Sequence, residues 1–150
     1  MKRRAVLTSL TAAAAALSLP VGAKSALPPV QVFKDPNCGC CGAWVEHMKS
    51  AGFSVTVTEV DDTSVARKKY GLPERFGSCH TAVVGGYVVE GHVPANDVKK
   101  LLVMKPVAIG LTVLGMPVGS PGMEIGSRKD PYQVLLVAKD GRERVFATYN

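Results

Sequence analysis

The chain has 150 residues, 47% hydrophobic and 20% charged, with a formal charge of +6. Half of that charge sits at the extreme N-terminus in Lys2, Arg3 and Arg4, which leaves 15 of the 18 basic residues against 12 acidic ones. So mild a balance, without a basic stripe interleaved with aromatics, argues against nucleic-acid binding, and nothing beyond the first 23 residues is apolar enough to span a bilayer.

The N-terminal charges precede an alanine-rich apolar run, residues 5–19, and Val21-Gly22-Ala23 offers a small-residue cleavage site. This pattern reads as a secretory signal peptide over residues 1–23. Arg3-Arg4 is a twin-arginine pair without the wider signature, so the Sec and twin-arginine routes both stay open. The rest of the chain is long enough for one domain with a core: a linker at 24–29, then a single unit at 30–150 with a core at 30–106 and an extension at 107–150. In an oxidising compartment its four cysteines must be disulfide-bonded, metal-bound or redox-cycled.

Residues 30–33 read as a buried strand, and Lys34-Asp35-Pro36-Asn37 as the turn after it. Three thiols follow in four residues, Cys38-Gly39-Cys40-Cys41, at the mouth of a helix that Asn37 would cap and Gly52 would end. The spacing contains the C-x-x-C of thiol redox sites, in which a helix N-terminus favours the thiolate. The third sulfur threatens such a cycle with scrambled pairing but suits a soft metal, since bridging thiolates hold Cu(I), Zn(II) or iron. Structural disulfides are the plainer alternative, with Cys79 as the one distant partner.

Residues 53–60 alternate as a strand does, and Asp62-Thr63-Ser64 caps a helix over 65–70. Two β-prone runs, 81–84 and 87–90, are joined by Gly85-Gly86, a pair suited to a two-residue turn. Residues whose numbers sum to 171 then face each other, and Cys79 and His92 satisfy that sum. Their Cβ atoms would lie about 5 Å apart on one face, with His80 pointing the other way. A third helix runs from residue 94 to 105.

The order is thus β-α-β-α-β-β-α. Residues 110–124 carry four glycines and two prolines without helix or strand periodicity, so they read as a loop. Met116 and Met123 within it are poor core fillers and good soft donors. A closing β-hairpin, 132–138 and 143–148, ends the chain. His47 reads as a helix-surface residue, Met48 and Met104 as core, and Glu124 as a neighbour able to support Met123. Paired carboxylates, phosphate-binding glycines and hydrolase motifs are absent from the sequence.

An α/β chain with a cysteine motif after its first strand resembles thioredoxin-like domains. Here Ser78-Cys79-His80-Thr81 takes the place of the loop that lies against the cysteine motif, with His80 where that family keeps a cis-proline. More closely, the chain resembles the small exported CopG copper-resistance family, first catalogued as a domain of unknown function. The likeness rests on Cys38-Gly39-Cys40-Cys41 with Trp44 and His47, on Ser78-Cys79-His80-Thr81-Ala82 and the hairpin through His92-Val93-Pro94, and on Gly115-Met116-Pro117-Val118-Gly119-Ser120-Pro121-Gly122-Met123-Glu124. It implies a thioredoxin-like β-α-β-α-β-β-α domain with a C-terminal Gly/Pro/Met loop and β-hairpin, a periplasmic location, and copper binding at Cys38, Cys40, Cys41 and Cys79.

His92, Met116 and Met123 join that ligand set from spacing. The expected function is a periplasmic protein that holds Cu(I) in a thiolate cluster and contributes to copper tolerance. Its partners would be copper ions and other periplasmic copper-handling proteins. A thiol-disulfide oxidoreductase using the embedded C-x-x-C is the competing reading, and a domain stapled by two disulfides is a third.

Overall fold

The computed structural model describes residues 26–150, so the expected leader and the first residues of the linker lie outside the described part. Strand β1, Val30–Lys34, buries Val30 and Val32 on one face. Helix α1, Gly39–Ser50, follows, and its cap is Cys38 rather than the expected Asn37. The Asn37 backbone N–H donates instead to Asp35 Oδ1 at 2.7 Å, closing an Asx turn one residue too early to cap the helix. Residues at helical spacing, Trp44, Val45 and Met48, face the sheet.

Strand β2, Val55–Glu59, leads to helix α2, Thr63–Lys69, which Asp62 caps by accepting the Ser64 N–H at 2.8 Å. A 3-10 turn at Glu74–Phe76 precedes β3, His80–Val84, and β4, Tyr87–Glu90. Then come α3, Ala95–Met104, β5, Ala108–Thr112, β6, Tyr132–Ala138, and β7, Glu143–Tyr149.

All seven strands join one sheet in the order β2-β1-β3-β4-β5-β6-β7. β1 with β2 and β4 with β5 are parallel pairs, with α1 and α3 as the respective crossovers; the other neighbours are antiparallel. Helices α1 and α3 cover one face, packing Trp44, Met48, Val98 and Leu101 on Val32, Ala82, Val89 and Leu111. The segment that follows α2 and the 3-10 turn cover the other face, where Leu72 and Phe76 meet Val88, Ile109 and Val137. Successive residues of β4, Val88 and Val89, therefore feed opposite cores, as the strand period requires.

The expected element order holds through α3, and the closing hairpin lies where it is expected. The loop expected from residue 110 is corrected: Ala108–Thr112 is a strand, with all five residues buried. A parallel strand buried on both faces loses the polar alternation by which strands are recognised. Gly110 adds to the disguise, yet it is required there, since a Cβ would sit 1.8 Å from the Val88 carbonyl oxygen. Met104 is corrected as well, being 51% exposed at the end of α3, whereas Met48 is fully buried. Among the described residues no helix is long and apolar enough to cross a membrane.

Candidate metal centre

The start of α1 and the loop before β3 meet at the carboxyl end of β1. Cys38 and Cys41 form a disulfide, with Cα atoms 5.3 Å apart, while Cys40 and Cys79 are free. Cys40 Sγ lies 3.5 Å from Cys38 Sγ, and Cys41 Sγ lies 3.6 Å from the Cys79 carbonyl oxygen. The four sulfurs all fall within 4.8 Å of one another. No carboxylate stands in the first turn of α1 and no side chain caps it, so the positive end of the helix dipole faces the sulfurs.

The hairpin supplies the other half of the site. Its pairs, Thr81 with Glu90 through Val84 with Tyr87, have the expected register. Cys79 Sγ lies 3.0 Å from His92 Nε2. His92 Nδ1 faces the Pro121 carbonyl oxygen at 2.8 Å. A carbonyl only accepts, so Nδ1 carries the proton and the Nε2 lone pair faces the thiol. Burial holds the His92 pKa down, against the opposing pull of that carbonyl and of Glu124.

His80 does not point away from the thiol: its Nδ1 is 3.3 Å from Cys79 Sγ. Strand alternation fails here because β3 begins only at His80, leaving Cys79 in irregular backbone. The His80 ring is fully buried, 4.5 Å from the Trp44 ring and 5.3 Å from that of His92, with Nε2 unpartnered. Burial first, then His92 and Lys34, lower its pKa to about 3, so the imidazole is neutral. Burial and the neighbouring Cys40 push the Cys79 thiol up to about 12. Cys79, His80 and His92 thus place one sulfur and two neutral imidazoles within 4.8 Å.

A buried carboxylate fixes this loop. Glu90 Oε1 accepts from the Ser78 backbone N–H and from Arg67 Nη1, both at 2.7 Å, and Oε2 accepts from Thr81 Oγ1 at 2.7 Å. These bonds hold the chain on both sides of Cys79 and His80. Arg67 reaches from α2 and also donates to both oxygens of Glu74. Desolvation raises the Glu90 pKa, opposed by its donors.

The C-terminal extension folds back over the same end. Gly122 lies against the first turn of α1 so closely that a Cβ would sit 2.8 Å from both Cys40 O and Trp44 N. Met123 therefore follows directly on a residue touching Cys40, while Met116 follows Gly115, whose carbonyl accepts from Ser78 Oγ at 2.8 Å. Met116 is 52% exposed and Met123 half-buried. Glu124 accepts the Gly122 N–H at 2.9 Å and so closes its own loop. His47 Nε2 accepts the Ala95 N–H at 3.0 Å, making it a cap for α3 and leaving that lone pair engaged.

Sequence reasoning missed His80, Glu90, Arg67 and Pro121. For Glu90 a signal existed, since the sum that pairs Cys79 with His92 also pairs Glu90 with Thr81.

Residues 76–123 match the model of a family described as a protein of unknown function, DUF411. None of the curated proteins matches the chain. Among solved structures, one named copper resistance protein CopG, form 2, is 45% identical over 83% of this chain and 99% of its own, with a TM-score of 0.78. Another, named copper resistance protein CopG, form 1, is 46% identical over 82% of this chain and 98% of its own, with a TM-score of 0.77. With that identity carried through nearly the full length of those structures, and with the cysteines of two separate segments meeting at one point, the chain belongs to the CopG copper-resistance family.

Proposed function

We propose that this chain holds copper as Cu(I) on Cys38, Cys40, Cys41 and Cys79, and that it does so in the periplasm as part of copper tolerance. The observation that carries this reading is the convergence of four sulfurs within 4.8 Å from two separate segments. Thiolates are the soft ligands that Cu(I) favours, and they bridge metal ions. His92, with its proton fixed on Nδ1, would offer a further donor, and Met116 and Met123 of the extension would offer thioethers.

In the disulfide form two of the sulfurs are tied up. A dithiol reductant returns them: it loses two electrons and two protons, becoming a disulfide, and Cys38 and Cys41 become thiols. Each thiol that then binds Cu(I) as thiolate releases one proton, so uptake grows stronger as pH rises. Other periplasmic copper-handling proteins would donate or receive the ion.

The test is an anaerobic Cu(I) titration of the fully reduced protein against a competing chelator, with free thiols counted before and after. Tight uptake with all four thiols protected supports the cluster. Weak uptake, with ready return of one disulfide, overturns it.

The Cys38–Cys41 disulfide specifically favours a second reading, a thiol-disulfide oxidoreductase. Cys40, 3.5 Å from Cys38 Sγ, would compete with every exchange. Failure to exchange electrons with a dithiol substrate that thioredoxin-like controls accept would remove this alternative.

A further inference from the structure

The end of the sheet opposite the cysteines carries an apolar groove that the fold itself leaves open. Leu27 and Pro28, Tyr87 of β4, and Leu102 and Val103 of α3 line it, around a volume of about 610 Å³. Apolar side chains at the end of α3 and just after it are exposed, Val103 by 82%, Met104 by 51% and Val107 by 86%. Helix α3 packs on the sheet through Val98 and Leu101, with Leu102 partly buried beside them, whereas Val103 and Met104 at its end are left exposed. Exposed apolar side chains clustered beside an open groove mark an interaction site.

The charged residues in the lining are Lys99 and Lys105, with no carboxylate among them. Asp97, the one acidic residue of α3, is turned elsewhere and accepts from Tyr149 Oη at 2.6 Å. We propose that this groove docks an acidic segment of a protein partner, one that presents large apolar side chains flanked by Asp or Glu.

Charge selects against the other occupants. A second copy presenting the same groove would add two more lysines and no carboxylate to the contact. Residues 1–25 of this chain carry Lys2, Arg3, Arg4 and Lys24 and no acid. A membrane surface is flat, whereas this site is concave and takes inserted side chains.

The location gives the docking a use. Strand β3 runs from His80, beside Cys79, to Val84, next to the Gly85 that lines the groove, a span of about 13 Å. A partner anchored there leaves the cysteines free, and the inference holds whether or not they carry copper.

The test is a titration followed in the amide NMR spectrum, using two short peptides with the same leucine core, one flanked by glutamates and one by lysines. The glutamate peptide should shift Tyr87, Leu102 and Val103 saturably, and the lysine peptide should not. Lys99→Glu combined with Lys105→Glu should weaken the glutamate peptide by about tenfold and transfer binding to the lysine peptide. Val103→Asp, at a solvent-exposed position, should weaken binding without lowering Tm. The proposal is overturned if both peptides bind alike or neither saturates. It is equally overturned if the same amides respond only to phosphatidylglycerol vesicles, to protein concentration, or to the presence of residues 1–25.

Discussion

Glu90→Ala removes the carboxylate on which the Cys79 loop rests. Three buried or half-buried donors lose their acceptor at once: Arg67 Nη1, the Ser78 N–H and Thr81 Oγ1, each now at 2.7 Å from it. Deleting one partner of a buried ion pair costs about 3–5 kcal/mol. Arg67 keeps Glu74, whose side chain is 67% exposed, so the lower end applies, about 3 kcal/mol. In a chain of this size each kcal/mol moves Tm by about 3–4 °C, giving a fall of about 10 °C.

The loss is also local, because the freed Ser78 N–H no longer sets Cys79 against His92 and the helix sulfurs. Cu(I) affinity should drop by about tenfold or more, as for a lost supporting contact at a metal site. Glu90→Gln keeps one acceptor oxygen and should fall between wild type and Ala. Arg67→Met added to Glu90→Ala should restore part of the stability, by removing a buried guanidinium left with only the exposed Glu74 as partner, and none of the affinity. Calorimetry and chelator competition check both arms. An Ala variant melting within about 3 °C of wild type, with unchanged copper affinity, would refute the reasoning.

Cys79→Ser should weaken Cu(I) uptake almost as much as Cys41→Ser, measured by chelator competition; unchanged copper content would remove Cys79 from the ligand set. His47→Ala frees the Ala95 N–H at the start of α3 and should cost about 1 kcal/mol in urea unfolding while leaving copper stoichiometry intact. Gly122→Ala meets both the positive φ of 88° and the Cys40 carbonyl, so the extension should lift from α1, seen as faster amide exchange over residues 117–124. In the copper-free protein His80 has a pKa of about 3, against an ordinary 6.5, so between those values only the unfolded chain binds that proton. Its contribution to stability is complete above pH 6.5 and fades as pH falls toward 3, a loss of about 2 kcal/mol by pH 5. His80→Phe keeps the ring against Trp44 and should flatten that part of the stability–pH curve; identical slopes would count against the neutral buried imidazole.

What could be read from the sequence was whatever obeys a local period. The β3–β4 register follows from Gly85-Gly86 and two β-prone runs, and one sum then brings Cys79 to His92 across the hairpin. β5 obeys no such rule, because burial on both faces erases its alternation and a glycine stands where Val88 comes too close. The Cys38–Cys41 pairing was open among three thiols, since C-x-x-C spacing permits a bridge and does not select it. Pro121, which orients His92, lies 29 residues away on a loop without periodicity. Its role emerges only once β5 and β6 have carried the extension back to α1.

The two halves of the site therefore differ in kind. On the hairpin side every group is held: Glu90 fixes the backbone around Cys79, Pro121 fixes the His92 tautomer, and Trp44 packs on His80 while donating from its own Nε1 to the Val93 carbonyl at 2.9 Å. On the helix side Cys38 and Cys40 are half-buried at a helix start that no side chain caps, and the Cys38–Cys41 disulfide lies there. Reducing that disulfide changes the number of free sulfurs from two to four. Preorganisation of that fixed half lowers the ordering cost of binding. Copper occupancy in the proposed function would accordingly follow the redox state of α1, and the strength of the hold would follow the integrity of the Glu90 clamp.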